Sequence, residues 1–140
     1  MNVSIIGTGY VGLVTAACLS DLGHNVTCID INKKKINTLK KAIIPFYEPG
    51  LKEIVERNYS SGNLRFTTSY KQACNKADVF FICVDTPDSG NGKPNLTNLN
   101  KVIDSLVKEI KNNAYYNIRW VLDLDKIIFN FIQIKRLYGL

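Results

Sequence analysis

Short apolar runs alternate along the chain with segments in which apolar residues recur every three or four positions. The runs predict buried strands at residues 2–6, 26–29, 64–67 and 79–84. The helical spacing predicts helices at residues 10–22, 32–41, 51–58, 69–76 and 97–112. Strands that alternate with helices are typical of a parallel sheet with helices packed on it.

Two segments depart from this rhythm. Residues 45–50 (PFYEPG) cannot continue a helix or a central strand, because proline lacks the N–H that either would use. Residues 113–140 contain no Gly or Pro before Gly139; their first part alternates like a strand, and residues 126–137 predict an apolar helix. We therefore expect a domain at 1–112 and a divergent tail at 113–140.

The composition is that of a folded domain. The chain has 140 residues, of which 46% are hydrophobic, so it can build a core. Its apolar runs are far shorter than the ~20 residues that span a bilayer, and we expect no membrane partner. Residues 1–6 lack a preceding cationic segment and run into glycines, which favours a strand over a signal peptide and predicts a cytoplasmic location.

Cysteine spacing and charge narrow the chemistry. Cys18, Cys28, Cys74 and Cys83 form no C-x-x-C pair, so we expect buried, reduced thiols and no metal site. The net charge is +6, and five of the lysines fall within residues 33–41. Because no aromatic residues interleave with them, a solvated helix face is favoured over a nucleic-acid patch.

The glycines after the first predicted strand carry a specific signal. Gly7, Gly9 and Gly12 fit G-x-G-x-x-G, and they lie between a strand and a helix, the context that gives this pattern meaning. Gly7 permits the tight turn, Gly9 lets the backbone approach a pyrophosphate, and Gly12 lets the helix lie close to the strand. The helix N-terminus then offers free N–H groups to the anion.

An acid follows at the expected distance. Asp30 ends the second predicted strand, 18 residues after Gly12, where a carboxylate accepts from the adenosine ribose hydroxyls and repels a 2′-phosphate. NAD is therefore favoured over NADP. Lys35, one turn into the next helix, can return its ammonium toward the adenosine. The alternative role for Asp30 is to cap that helix.

Together these features predict an α/β fold of the Rossmann type. We expect a doubly wound, mostly parallel sheet with helices on both faces and an incomplete second half. The fold alone does not identify a reaction, because many functions share it.

Five strings along the chain narrow the choice among functions of this fold. The first is the opening IIGTGYVGL, in which the Tyr-Val pair is more specific than the glycines. The others are DIN followed by Lys35-Ile36, the PFYEPGL loop, the CVDTP turn after the fourth strand, and GKPNL before the next helix. They occur in this order within residues 5–96, and together they resemble the UDP-glucose/GDP-mannose dehydrogenase family.

The resemblance implies roles at matching positions. Tyr10 and Val11 would line the cofactor turn with their backbone, Asp30 and Lys35 would hold the adenosine ribose, and Thr86 would approach NAD from the sheet edge. It also implies oxidation of UDP-glucose to UDP-glucuronate with two NAD. Enzymes for UDP-N-acetyl-hexosamines and for GDP-mannose share this cofactor half, so the sugar stays open.

The chain departs from the family after residue 112. The family's K-S-T-V-P-x-G string is missing from the tail, and so is the G-x-G-G-x-C-x-P-K-D-like string that carries its nucleophile. We therefore assign no catalytic residue and expect no dehydrogenase activity from this chain alone. A nucleotide sugar would bind only if a C-terminal half completed the site. A frameshift or premature stop would explain why the family's strings are missing, and so would a split enzyme with a complementing chain. For its oligomeric state, a homo-oligomer is the other alternative.

A second function class fits the same turn. Stand-alone NAD-sensing modules, like the regulatory domains of potassium transport systems, are about this size and share the glycine turn and the acid. They should lack the PFYEPGL and V-x-T-P strings, which this chain has.

Overall fold

The computed structural model describes residues 1–90, 92–109, 117–120 and 130–133. Within them the strands are β1 (Asn2–Ile6), β2 (Asn25–Ile29), β3 (Leu64–Thr67), β4 (Val79–Ile82), β5 (Asn117–Trp120) and β6 (Asn130–Gln133). The helices are α1 (Tyr10–Asp21), α2 (Lys33–Leu39), α3 (Leu51–Ser61), α4 (Tyr70–Cys74) and α5 (Thr97–Glu109). None of these helices is both long and apolar enough to cross a bilayer.

The strands form one sheet in the order β3-β2-β1-β4-β5-β6. Strands β1 to β5 are parallel, and β6 pairs antiparallel with β5. The chain moves outward from β1 to β3 and then crosses to β4 on the other side of β1. The carboxyl ends of β1 and β4 therefore flank the switch point at which such sheets bind ligands.

Helices cover both faces of the sheet. On one face, α1, α2 and α3 pack on β1, β2 and β3 around the buried residues Ile5, Leu13 and Val55. On the other face, α4 and α5 pack on β1 and β4 around Phe80 and Leu106. The predicted Rossmann-type, mostly parallel sheet with helices on both faces is confirmed.

The element bounds follow the sequence pattern closely at the start of the chain. The strands predicted at 2–6 and 64–67 have those bounds, and the first helix ends one residue before its predicted limit. The predicted fourth strand is too long, because β4 ends at Ile82 and leaves Cys83 and Val84 in the following loop. In that loop the Cys83 N–H still donates to the Ile6 carbonyl, 2.7 Å away.

The tail differs from its prediction. Residues 126–137 were expected to form an apolar helix, but residues 130–133 within that range form β6, so the helix is wrong there. The physical reason is the pairing of β6 with β5, which offers a backbone ladder that local periodicity does not encode. Residues 126–129 and 134–137 lie outside the described residues, while β5 lies within the predicted alternating strand segment.

Candidate functional site

The glycine turn joins β1 to α1 and is packed tightly against the end of β4. Gly7 has φ +97°, and a Cβ there would lie 2.4 Å from the carbonyl oxygen of Cys83. A Cβ on Gly12 would lie 2.0 Å from the carbonyl oxygen of Gly7. Real Cβ atoms do not approach backbone oxygens so closely, so the turn exists in this form only with glycine at both positions.

Gly9 has a different environment. It is the N-cap residue of α1, with φ −70°, and a Cβ there would meet no atom within 4 Å. No side chain caps this helix end, and its first turn contains no acidic residue. The first N–H groups of a helix lack intrahelical partners, and they carry partial positive charge. The open space at Gly9 is therefore suited to an anion such as a pyrophosphate.

Asp30 follows β2 directly, and its carboxylate accepts hydrogen bonds both from the glycine turn and from the start of α2. Its Oδ2 accepts from the Thr8 N–H at 3.1 Å, from the Thr8 hydroxyl at 2.7 Å and from the Lys35 ammonium at 3.1 Å. Its Oδ1 accepts from the Asn32 N–H at 2.9 Å. The carboxylate thus links the glycine turn to the start of α2.

The electrostatics of Asp30 favour its ionised form. Burial acts to raise the pKa of this carboxyl, but the hydrogen bonds from Asn32, Thr8 and Lys35 outweigh it and lower the pKa below the ordinary value. The side chain is 11% exposed. A fixed anion at this point accepts hydrogen bonds and repels a phosphate.

Asp30 is not the cap of α2. The N-cap residue is Asn32, whose side-chain oxygen accepts from the Lys35 N–H at 3.1 Å. The alternative role considered from sequence is therefore filled by another residue, although Asp30 supports the helix entry through Asn32.

Tyr10 contributes a side-chain contact that its expected backbone role did not include. Its hydroxyl donates to Glu48 Oε2 at 2.5 Å, and its ring lies 5.0 Å from that of Phe46. The bond to Glu48 is the main reason that the pKa of the Tyr10 hydroxyl is raised. The PFYEPG loop is thereby attached to the residue that opens α1, directly after the glycine turn. Val11 follows in the first turn of the helix.

Thr86 lies four residues beyond the last residue of β4 and is half-buried. Its loop returns to the start of α5, where the Asn98 side chain donates to the Asp85 carbonyl at 3.3 Å. The Asn95 N–H also donates to the Pro87 carbonyl at 2.7 Å. Since the Cys83 carbonyl packs against Gly7, this loop begins directly beside the glycine turn.

The cysteines do not form a reactive centre. All four are free. Burial raises the pKa of Cys83 to about 12 and that of Cys74 to about 11, and it raises the pKa of Cys28 further still. Cys18 is exposed on α1 and Cys83 is only partly buried, contrary to the expectation that every thiol is buried. In the described part of the chain, no three His, Cys, Asp or Glu residues cluster as metal ligands do.

The structure places several of the sequence-predicted site residues together and adds two contributors that were not predicted. The structure brings Gly7, Gly9, Gly12, Asp30 and Lys35 together at the carboxyl ends of β1 and β2. Thr8 and Glu48 were missed. Thr8 stands at a position that the glycine pattern leaves unspecified, and Glu48 is 38 residues from its partner Tyr10.

Residues 1–118 match the family model described as "UDP-glucose/GDP-mannose dehydrogenase family, NAD binding domain". The chain belongs to this family. It is 45% identical over 114 residues to a UDP-glucose 6-dehydrogenase of Bacillus subtilis, a match that covers 81% of this chain and 26% of that protein. It is 42% identical over 110 residues to a GDP-mannose 6-dehydrogenase of Pseudomonas savastanoi pv. phaseolicola, covering 79% and 24%.

The fold agrees with solved members of the family. The crystal structure of a ternary complex of GDP-mannose dehydrogenase from Pseudomonas aeruginosa superposes with a TM-score of 0.80 at 35% identity, over 86% of this chain and 28% of that one. This chain therefore contains the family's NAD-binding domain, and NAD is its cofactor. It spans about a quarter of the length of the curated relatives that it matches.

Proposed function

We propose that this chain is the cofactor-binding part of a dehydrogenase that oxidises UDP-glucose to UDP-glucuronate, with NAD as the hydride acceptor. The observation that carries the proposal is the junction of the glycine turn with Asp30. An uncapped helix N-terminus, an open position at Gly9 and an ionised, fixed carboxylate lie within one contact network. Those features match the pyrophosphate and the ribose of a dinucleotide.

The residues divide the cofactor between them. The N–H groups that begin α1, from Tyr10 and Val11, face the pyrophosphate over Gly9. Asp30 and Lys35 hold the adenosine ribose, because Asp30 supplies an acceptor and Lys35 a donor. Thr86, in the loop after β4, borders the nicotinamide half. Bound there, NAD supplies the hydride acceptor, and the chain supplies its binding and orientation.

The choice of UDP-glucose rests on the relatives. A UDP-glucose 6-dehydrogenase is 45% identical to this chain and a GDP-mannose 6-dehydrogenase is 42% identical, so the two substrates are close competitors. Both of these relatives are dehydrogenases, which favours the dehydrogenase over the stand-alone sensor. Assembly with itself or with a second chain, and a cytoplasmic location, stay predictions.

The 140-residue polypeptide itself is expected to bind NAD without oxidising the sugar. A thiol nucleophile must reach its thiolate form, and burial raises the pKa of Cys28, Cys74 and Cys83 instead. The fourth thiol, Cys18, lies on the exposed side of α1 and not in the turn. The polypeptide thus supplies the cofactor half of the arrangement without a nucleophile.

The first experiment is a calorimetric titration of NAD, and separately of NADP, into the purified chain. We expect saturable binding of NAD and weaker binding of NADP. Asp30→Ala should weaken NAD binding by about tenfold or more, because the ribose loses a charged acceptor. Asp104→Ala is the matched control, because Asp104 is exposed on α5 and far along the chain from the turn.

Two readouts accompany the titration. Circular dichroism must show that Asp30→Ala is folded, since the residue also joins the turn to α2. NADH absorbance should stay flat when UDP-glucose is added to the chain, and should rise when residues 1–118 replace the matching segment of the Bacillus subtilis enzyme. A folded wild-type chain that does not bind NAD would refute the proposal, and a folded chimera that forms no NADH from UDP-glucose would refute the role of this chain as the cofactor half of such a dehydrogenase.

A further inference from the structure

Thr8 is fully buried although it is polar and lies in a loop. Its exposed fraction is 0%, and its hydroxyl donates to Asp30 Oδ2 at 2.7 Å. Its own N–H donates to the same oxygen at 3.1 Å. A buried hydroxyl without a partner is costly, so this contact fixes both groups relative to each other.

The donors around Asp30 leave its two oxygens unequal. Oδ2 already accepts from the Thr8 N–H, the Thr8 hydroxyl and Lys35, which fills the acceptor capacity of a carboxylate oxygen. Among the residues that the structure describes, Oδ1 accepts only from the Asn32 N–H, and it retains a lone pair. Of the two oxygens, Oδ1 is thus the one with room for a ribose hydroxyl.

We propose that Thr8 is a positioning residue for the cofactor, and that its hydroxyl holds Asp30 Oδ2 so that Oδ1 serves the ribose 2′-OH. This inference rests on the proposed NAD function and adds a residue that the glycine pattern leaves free. Thr8 does not touch the ribose itself. It acts by restricting the rotation of the carboxylate, which the N–H groups of Thr8 and Asn32 and the partly exposed Lys35 would hold less firmly without it.

The substitution that isolates this role is Thr8→Val. Valine keeps the shape of threonine and its β-branching but lacks the donor, so Oδ2 loses one of three partners. Thr8→Ser keeps the hydroxyl and loses only a methyl group. Thr38→Val makes the same chemical change at a threonine whose hydroxyl donates to the Lys35 carbonyl within α2.

The readout must separate positioning from general damage. ADP and 2′-deoxy-ADP are suitable probes, because they share the adenine and the pyrophosphate and differ only in the hydroxyl that Asp30 is proposed to bind. We expect the wild-type chain to prefer ADP, and Thr8→Val to reduce that preference by about three- to tenfold, as for one hydrogen bond. Thr8→Ser and Thr38→Val should keep the wild-type preference.

The contrary outcomes are distinct. If Thr8→Val weakens both probes equally, or if the wild type binds both equally, Thr8 is merely structural and the inference is overturned. If the wild-type chain binds neither NAD nor ADP, the proposed function fails first. Should Thr8→Val not fold, Thr8→Ala removes the same donor without a bulky replacement and is held to the same expectation.

Discussion

Gly7, Gly9 and Gly12 belong to one six-residue turn, but an added side chain would meet different surroundings at each. At Gly7 and Gly12 it would collide with backbone oxygens, at 2.4 Å and 2.0 Å. At Gly9 it would enter open space. Two of the glycines are therefore required by the fold, whereas Gly9 borders the open space proposed for the pyrophosphate.

This difference predicts opposite phenotypes for the same substitution. Gly12→Ala should lower the free energy of unfolding by about 3 kcal/mol or more, because rigid backbone must move. Gly9→Ala should lower it by at most about 1 kcal/mol, the cost of a poorer N-cap. It should nevertheless weaken NAD binding by about tenfold or more, since its Cβ occupies the pyrophosphate's place.

Urea denaturation and calorimetry measure the two quantities on the same samples. Each alanine variant is the other's control, since they differ only in position within the turn. A Gly9→Ala chain that binds NAD as tightly as the wild type would contradict the assignment of the open space to the cofactor.

At the residue scale, the position of a residue in the turn could be predicted from sequence where a motif fixes the spacing between residues. Gly7 is predictable from the tight turn, Gly12 from the close packing of the helix on the strand, and Asp30 from its spacing after the glycines. All three features lie within one strand-helix-strand unit. Thr8 and Glu48 could not be predicted, because their partners are set by how β2 and the PFYEPG loop fold back on the turn. No local pattern encodes such contacts.

At the scale of elements, α1 shows where hydrophobic periodicity fails. Helical spacing of the apolar residues alone would place Val11, Val14, Ala17, Cys18 and Leu22 on the inward face, whereas the buried residues are Gly12, Leu13, Ala16, Ala17 and Ser20. The helix is apolar around most of its circumference, so the pattern contains no clear preferred side. The close contact of Gly12 with the Gly7 carbonyl selects the face instead.

The corrected face predicts a sharp contrast between two leucines. Leu13→Ala should lower the free energy of unfolding by about 2–5 kcal/mol, because Leu13 is 0% exposed and its loss leaves a cavity. Leu22→Ala should change it by less than about 0.5 kcal/mol, because Leu22 is 75% exposed. Urea denaturation of both variants measures the difference, and equal effects would restore the face inferred from sequence.

At the scale of the whole molecule, the strand order brings the parts of the candidate site together at the carboxyl edge of the sheet. The turn after β1, Asp30 after β2 and the loop after β4 all follow the carboxyl ends of parallel strands that are neighbours in the sheet. The amino ends of the same strands lie at the opposite edge, together with residues 62–63 before β3 and residues 75–78 before β4. The alternation of strands and helices along the sequence predicted this sheet, but it did not predict the pairing of β5 with β6.

This polarity predicts the footprint of NAD in hydrogen exchange. At short labelling times, saturating NAD should slow exchange in peptides that cover residues 7–13, 30–36 and 84–87, because bound phosphate and ribose shield or order their amides. Peptides covering 62–65 and 75–78 should exchange as in the free chain, which makes them internal controls at the amino edge.

The same footprint tests how far the turn and the PFYEPG loop act together. Because the Tyr10 hydroxyl donates to Glu48, ordering the start of α1 should also slow exchange at residues 46–50. Tyr10→Phe removes that donor and keeps the ring beside Phe46, so protection should be lost at 46–50 and retained at 7–13. Equal protection at both sheet edges would instead mean that NAD stabilises the molecule without binding at the carboxyl edge, and the site would be misplaced.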